Sequence, residues 1–355
     1  MTDVLLITGA NSYVAGHMIQ QALERGYAVH GTVRSEASGQ KLLAVFPQHA
    51  TGADAKLTYA IVPDMTAVEN YETSFRNADI TGVIHTASPF RLDVEDNAKD
   101  LLEPARDGAV AILEAVRQYG NGKVRSVISV SSFASVVDMS YGLRPGYHYT
   151  EADWNPMSWD AAKTTDVVSA YCASKALAEK AQWAWQKEHA GQPGADFALT
   201  TMTPPWVFGP YVNLAGMGIK KPGQLNESMK LLAHLVDGSL AGGEVPPTDF
   251  AGFIDVRDLA TAVLRAYDGA KAADPAIVNQ RFLIASKFSY QTAADVIRDS
   301  FPDLRDNVPV GTPGAGRTEP TYIYDTSKAK AALGIKFTSI DDTVRDSVRQ
   351  IATLL

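Results

Sequence analysis

The chain has 355 residues, of which 46% are hydrophobic and 20% charged, and its net charge is −8 at pH 7. The acidic balance argues against a nucleic-acid partner, and no run of about 18 apolar residues suits a membrane span. A single cysteine, Cys172, excludes an intrachain disulfide and fits the cytoplasm, and the early first strand leaves no room for a signal peptide.

Short apolar runs alternate with helical patterns through the first two-thirds of the chain. The runs are continuous rather than alternating, which indicates strands buried on both faces. Their alternation with helices predicts an α/β fold with a doubly wound parallel sheet of Rossmann type. In chain order the expected strands are 4–7, 28–33, 57–62, 82–86, 124–130 and 197–203, and the expected helices are 13–25, 40–46, 93–119 and 169–189.

The last third of the chain predicts a smaller mixed α/β lobe over the ends of the strands. Its elements are a strand at 281–284 and helices near 224–236, 256–267, 290–299, 327–333 and 340–351. We therefore assign residues 1–207, with a return at 250–285, to a dinucleotide-binding domain. Residues 208–249 and 286–355 are assigned to a substrate-binding lobe.

The first strand leads into the small-residue turn Thr8–Gly16 and a helix. This order places backbone N–H groups and a positive helix end at one point, which suits a pyrophosphate. Ser12 and Ala15 stand where glycine is more usual, and a plain strand–helix connection is the alternative. The cofactor candidates in this turn are Gly9, Asn11, Ser12, Tyr13 and Val14.

Arg34 ends the second strand, where an acidic residue would favour NAD. An arginine there suits the 2′-phosphate of NADP, and the alternative is a cation that merely ends an exposed strand. After the third strand, Asp64 is a candidate for the adenine amino group, and a solvated turn aspartate is its alternative. Met65, next to it, is also a cofactor candidate.

The spacing Tyr-x-x-x-Lys occurs four times, at Tyr119/Lys123, Tyr171/Lys175, Tyr267/Lys271 and Tyr324/Lys328. Two glycines after Tyr119 predict a turn, Gly269 marks an expected helix end behind Tyr267, and Tyr324 precedes a helix N-cap. Only Tyr171 and Lys175 lie inside a strong helical run, where positions i and i+4 share a face. A surface Tyr–Lys pair is the alternative interpretation.

With these motifs the chain resembles the extended short-chain dehydrogenase/reductases. Within them it is most similar to the dihydroflavonol reductase-like group and its fungal aldehyde and ketone reductases. Departures are Ser12 and Thr203-Pro-Pro205, the latter standing where the group usually has Asn-Pro and an aliphatic residue. The resemblance runs nearly end to end and is carried by Thr8–Gly16, Thr32–Ser35, His85–Phe90, Ser131-Ser132, Trp154–Pro156, Ala170–Lys180, Trp206–Pro210 and Phe253–Asp258.

The resemblance implies a role for each catalytic candidate. Ser132 would bind the substrate carbonyl, Tyr171 would donate the proton, and Lys175 would bind the nicotinamide ribose and stabilise the tyrosinate. NADPH would supply the hydride. We expect the nearby ammonium and the oxidised nicotinamide to lower the pKa of the tyrosine.

The resemblance also implies further contacts. On the cofactor these are Thr86, Ala87, Ser88, Pro204, Val207 and Ser228. In the substrate pocket they are Phe90, Phe133, Val168 and Trp206, for which core packing is the alternative.

The sequence thus predicts an NADP (NADPH)-dependent reductase of small or medium apolar aldehydes and ketones. The alternatives are an NAD(P)-dependent nucleotide-sugar epimerase or dehydratase and a non-catalytic NADP-binding regulatory protein. Cys172 is interpreted as a packed thiol, and no metal is predicted because the seven histidines lack metal-ligand spacing. The expected partner is a small carbonyl compound, without nucleic acid or membrane, and the chain is expected to be a monomer or homodimer.

Overall fold

A computed structural model describes residues 2–52, 55–88 and 93–355 of the chain. Within this part, twelve strands are present, several of them only two or three residues long. They are β1 Val4–Thr8, β2 Ala28–Val33, β3 Leu57–Ile61, β4 Ile80–His85, β5 Ser126–Val130, β6 His148–Tyr149, β7 Ala198–Thr203, β8 Trp206–Phe208, β9 Gly252–Asp255, β10 Arg281–Leu283, β11 Ser286–Lys287 and β12 Ile323–Tyr324.

Seven of these strands form the central sheet, in the order β3-β2-β1-β4-β5-β7-β10, and every neighbouring pair is parallel. Leu5, Leu6 and Ile7 of β1 are completely buried, as expected for a strand that is covered on both faces. The predicted doubly wound parallel sheet is confirmed. Its strand order reverses next to β1, where α/β sheets of this kind bind their ligands.

The same part of the chain contains thirteen α-helices, which pack against the strands and against one another. Among their contacts, α5 packs against α7, and α1 packs against α9. The helices are α1 Tyr13–Glu24, α2 Glu36–Val45, α3 Pro47–Ala50, α4 Glu72–Asn77, α5 Glu103–Tyr119, α6 Trp159–Ala162, α7 Val167–Glu188, α8 Glu227–Val236, α9 Val256–Lys271, α10 Tyr290–Ser300, α11 Ala315–Thr318, α12 Ser327–Leu333 and α13 Ile340–Ile351.

Two small sheets stand beside the central one. The strands β8, β9 and β11 form one of them, with β8 parallel to β9 and β9 antiparallel to β11, while β6 pairs with β12 in the other. Of the stretch 250–285 that we expected to return to the first domain, β10 joins the central sheet and β9 belongs to the three-stranded sheet. The strand expected at 281–284 is β10, whereas β8, β9 and β11 carried no periodic pattern that could have predicted them.

Several helix ends differ from the sequence prediction because local capping decides them. The helix expected from residue 93 begins as a π-helical turn, Ala98–Leu102, since the Asp96 carboxylate accepts the Ala98 and Lys99 N–H groups at 2.9 and 3.2 Å. Similarly, α2 begins before the expected residue 40 because Ser35 caps it. Within the described ranges, no helix has the length and apolar character required to cross a membrane.

Candidate active site

The site lies at the carboxyl edge of the sheet, where β1, β4 and β5 are neighbours. The segments that follow these strands therefore meet side by side. The Thr8 hydroxyl oxygen accepts the N–H groups of Thr86 and Ala87 at 3.1 Å each, and it lies 2.9 Å from Nδ1 of His85. The turn after β1 and the segment after β4 are thus held against each other.

Gly9 is required by its conformation and by its neighbour. Its φ of +63° lies in the left-handed region, and a Cβ atom would stand 3.2 Å from the Cα of Ala87. The glycine at the first position of this degraded motif therefore stands where the loop after β4 leaves no room for a side chain.

The first turn of α1 presents backbone N–H groups, and two of the side chains at its start form hydrogen bonds within the protein. Ser12 caps the helix by accepting the Ala15 N–H at 3.3 Å, which leaves its own hydroxyl proton to donate. The side chain of Tyr13 is buried, and its hydroxyl donates to the Gly209 carbonyl at 2.7 Å. Tyr13 and Val14 therefore offer their first-turn N–H groups, and Asn11 beside them is exposed.

A cavity of 100 Å³ lies between the start of α1 and the second half of α2. Asn11 and Ser12 line it together with Lys41 of α2 and Met217, which belongs to a loop beyond β8. Sequence analysis missed both of these residues. A second cation on the helix that follows Arg34 was a signal for Lys41, whereas nothing in the local pattern indicated Met217.

At the end of β2, an exposed arginine could attract an anion, while the neighbouring glutamate is held by other side chains. Arg34 is exposed, and Glu36, two residues later, is held by Tyr59 and Gln40 at 2.5 and 2.8 Å. The tyrosine hydroxyl lowers the pKa of this carboxyl. Glu36 is therefore fixed against β3, while the Arg34 side chain projects from the strand end.

The aspartate proposed for the adenine end takes part in a turn. One Asp64 oxygen accepts the backbone N–H and the hydroxyl of Thr66 at 2.9 and 2.8 Å. The Met65 carbonyl accepts the Tyr71 hydroxyl at 3.3 Å. Contacts of Asp64 and Met65 with a cofactor remain predictions, as does a contact of Ser228, which is half-buried in the first turn of α8.

The helix α7 carries the tyrosine and lysine to the same edge of the sheet. Asp166 caps it and accepts the N–H groups of Val168 and Ser169 at 3.0 Å each. Lys175 is buried, and its Nζ donates to the Ser88 hydroxyl at 2.6 Å. Burial lowers the pKa of this lysine to about 8, and its Nζ lies 5.5 Å from the centroid of the Tyr171 ring.

Ser132 stands opposite the tyrosine at the start of a short 3₁₀ helix, Phe133–Ser135. Its Oγ accepts the Ala134 N–H at 3.1 Å, and its side chain interacts with the Tyr171 phenol. Burial raises the pKa of Tyr171, and the Ser132 hydroxyl only partly offsets this. We expected the lysine and the oxidised nicotinamide together to lower this pKa. In the protein alone, desolvation of the tyrosinate decides its direction, and the effect of the nicotinamide stays a prediction.

The other three Tyr–Lys pairs lie elsewhere. Tyr119 ends α5 before a turn, as predicted. Tyr324 lies in β12, ahead of α12, also as predicted. The expected end of α9 at Gly269 was wrong: the helix continues to Lys271, and the glycine makes room for Ile277. Tyr267 is nevertheless excluded, because its hydroxyl lies 3.1 Å from that of Thr81 near the opposite end of β4.

The four substrate-pocket candidates have different environments. Phe90 lies outside the described residues. Phe133 is completely buried among Tyr149, Tyr322 and Tyr324, so its ring shapes the core behind the site instead of facing a ligand. In contrast, Val168 is 43% exposed in the first turn of α7.

The fourth candidate, Trp206, is half-buried and starts β8 directly beyond the two prolines after β7. Its ring meets Phe250 edge-on at 5.7 Å, an aromatic neighbour that sequence analysis missed. The Pro204 carbonyl accepts the Phe133 N–H at 2.8 Å, which fixes this segment beside the Ser132 turn. Val207, the next residue along β8, is buried.

Cys172 is a packed thiol, as the sequence suggested. It is completely buried, and burial raises its pKa to about 12, so the reactive thiolate is not formed near neutral pH. In the described ranges, no group of three or more histidine, cysteine or acidic side chains is placed to hold a metal ion.

Comparisons with known proteins agree with this geometry. The model of the NAD dependent epimerase/dehydratase family matches residues 5–280. An NADPH-dependent methylglyoxal reductase of Saccharomyces cerevisiae is 34% identical, over 98% of this chain and 97% of the relative. The crystal structure of yeast methylglyoxal/isovaleraldehyde reductase Gre2 complexed with NADPH superposes with a TM-score of 0.89 at 33% identity, covering 98% of both chains. The Candida albicans Gre2 complex with NADPH gives 0.88 at 32% identity, over 99% of both chains.

Proposed function

The chain belongs to the NAD dependent epimerase/dehydratase family, and within it we propose an NADPH-dependent reductase of small and medium apolar aldehydes and ketones. One observation carries the proposal. Ser132, Tyr171 and Lys175 meet beside the Gly9 turn, and the lysine reaches Ser88 across the site. Similar proteins named for methylglyoxal and isovaleraldehyde indicate the substrate class.

The residues around the turn fit a dinucleotide that bears a 2′-phosphate. Gly9 leaves the space that a side chain would fill, and the first-turn N–H groups of α1 face the same point. Arg34 supplies an exposed cation, and Lys41 lines the cavity next to Ser12. When bound, NADPH supplies the hydride, which no amino-acid side chain can provide.

The protein's own groups then handle the charge that develops on the substrate oxygen. The Ser132 hydroxyl accepts the Ala134 N–H, so its proton is directed away from the backbone and can polarise the carbonyl. Tyr171 keeps its proton because burial raises its pKa, and it delivers that proton to the forming alkoxide. The Lys175 ammonium, placed beside the phenol ring, stabilises the tyrosinate that results.

We further propose a cytoplasmic location, in line with a single cysteine that has no disulfide partner in the chain.

The test is NADPH oxidation with a panel of small aldehydes, diketones, ketoesters and flavonoid-like ketones. Replacement Tyr171→Phe should lower kcat by about 10²-fold or more, as expected for a lost general acid. Tyr119→Phe is the matched control, because this tyrosine has the same spacing to a lysine but lies at the end of α5. Full turnover by Tyr171→Phe would contradict the assigned proton donor. Turnover of nucleotide sugars, without reduction of any carbonyl in the panel, would favour the epimerase alternative.

A further inference from the structure

Beneath the catalytic groups, α7 carries a buried carboxylate that the proposed reaction does not use. Glu179 follows Lys175 by one helical turn, and so lies on the same face as Tyr171 and Lys175. It is 2% exposed. Its Oε1 accepts hydrogen bonds from Thr201 and Arg281 at 2.7 and 2.8 Å.

The second oxygen of this carboxylate reaches the catalytic serine turn. Oε2 of Glu179 accepts the Ser131 hydroxyl at 2.7 Å and lies 2.6 Å from the Ser135 hydroxyl. These serines stand on either side of Ser132. The Ser135 hydroxyl also lies 2.7 Å from the Ser132 carbonyl oxygen, so one carboxylate holds the backbone of the turn from both sides.

Arg281, the first residue of β10, completes the arrangement from a distant part of the chain. Its Nη2 donates to Ser135 Oγ at 2.9 Å and to Glu179 Oε2 at 3.2 Å. Its Nη1 donates to the carbonyls of Glu151 and Asp153 at 2.8 and 2.5 Å, and its guanidinium stacks over the Trp154 ring at 3.6 Å. Every N–H direction of the guanidinium is therefore used.

A charge pair of this kind is better suited to fixing geometry than to adding stability. Both partners have left water, so much of their attraction only offsets the cost of burial. Burial by itself would raise the pKa of Glu179, but Arg281 and the serine donors outweigh it and hold that pKa below its usual value. The carboxylate is therefore favoured in its charged form, and four side chains define its position, those of Ser131, Ser135, Thr201 and Arg281.

We propose that Glu179 and Arg281 are positioning residues that set the distance between Ser132 and Tyr171. This rests on the proposed function, since it concerns the geometry of that reaction. The carboxylate connects the helix that carries Tyr171 to the two serines that flank Ser132. Because a misplacement of about 1 Å can cost about 10²-fold in rate, loosening this connection lowers turnover without removing any group that contacts substrate or cofactor.

The chain offers a matched pair of variants for the test. Ser131→Ala removes a hydroxyl that ties Glu179 to the serine turn, and Thr201→Val removes a hydroxyl from the same carboxylate on the side of β7, away from that turn. Ser131→Ala should lower kcat by at least about tenfold while KM for NADPH stays unchanged. Thr201→Val should lower kcat far less than Ser131→Ala, at a comparable loss of thermal stability, because the bonds from Glu179 to Ser131, Ser135 and Arg281 remain. Ser131→Thr, which restores a hydroxyl, should recover part of the rate.

A second readout needs no turnover. In hydrogen exchange, amides of residues 131–136 and of the first half of α7 should exchange faster in Ser131→Ala than in Thr201→Val. Equal exchange and equal kcat in the two variants would overturn the positioning role and leave a structural ion pair. If the unmodified protein reduced no carbonyl, the proposed function would fail, and the exchange comparison would still decide whether Glu179 holds the serine turn.

Discussion

At the scale of single residues, burial decides how the two candidate proton-handling groups are charged. It lowers the pKa of Lys175 to about 8 and raises the pKa of Tyr171. Near neutral pH the phenol is therefore a proton-bearing acid, which suits reduction. The lysine is largely a cation at neutral pH, and it loses its proton within the pH range in which enzymes are commonly assayed.

The Lys175 ammonium predicts an alkaline limit to activity. Because kcat/KM reports ionisations of the free protein, kcat/KM for NADPH should fall as pH rises through about 8. The decline should approach about tenfold per pH unit once the neutral lysine predominates. Lys175→Arg keeps its charge, so its decline should move to higher pH. A wild-type profile that stays flat well above that pKa would contradict the assignment.

Trp206 predicts selection by substrate size. Its half-buried ring packs against Phe250, and removing it opens space beside the Ser132 turn. In Trp206→Ala, kcat/KM for bulky ketones should rise relative to small ones by about tenfold, with KM for NADPH nearly unchanged. The measurement is a size-graded ketone series with product enantiomer ratios.

Trp183→Ala is the matched control for this prediction. Trp183 is also partly buried, but it packs against a different hydrophobic cluster from Trp206, one that contains Ile112 and Val116 of α5, so size preference should stay as in the unmodified protein. If the two variants behaved alike, Trp206 would be a core residue and not part of the pocket.

At the scale of elements, close packing between α9 and β4 depends on a glycine, Gly82, which has no side chain to meet Tyr267. A Cβ atom at Gly82 would stand 2.2 Å from Cε2 of Tyr267. Gly82→Ala should therefore lower the free energy of unfolding by about 1–3 kcal/mol through overpacking. Urea unfolding measures this.

Gly223→Ala provides the control. At Gly223 no atom lies within 4 Å of an added Cβ, and this glycine does not have a positive φ. The substitution should leave stability unchanged or raise it by about 0.4–1 kcal/mol, because alanine reduces the entropy of the unfolded chain. Equal losses in both variants would mean that the contact with Tyr267 does not limit the packing of α9 against the sheet.

Element types followed from sequence more reliably than element ends. The central strands are continuous apolar runs and α7 is a long helical run, and these patterns placed β1, β2 and α7 within one or two residues. The start of α2 depended on a hydrogen bond of Ser35, and α9 continues past Gly269, where the absent side chain leaves room for Ile277. The strands β8, β9 and β11 are short and gain their stability from pairing with distant segments. The residue pattern within each strand therefore did not predict it.

At the scale of the whole molecule, cofactor binding should be visible as stability. A ligand that binds only the folded protein raises the free energy of unfolding by about 2.7 kcal/mol at 100 times its Kd. NADPH should therefore raise Tm more than NADH at equal concentration, because Arg34 offers its charge to the 2′-phosphate.

The variant Arg34→Ser should reduce the difference between NADPH and NADH. Arg76→Ser is the control, since this exposed arginine pairs with Glu72 on α4 and should leave the difference intact. Equal Tm shifts by the two cofactors in the unmodified protein would contradict the role of Arg34.

The sequence by itself determined the sheet class, the strand–turn–helix order at Gly9 and which of four Tyr–Lys pairs lies inside a long helix, because each depends on spacing along a continuous strand or helix. Only the tertiary structure decided that Phe133 is enclosed by tyrosines, that Lys175 is desolvated, and that Glu179 meets Arg281 across 102 residues of chain. Burial and pairing arise when distant segments pack together. The residue pattern within one segment does not predict which distant segment will pack against it.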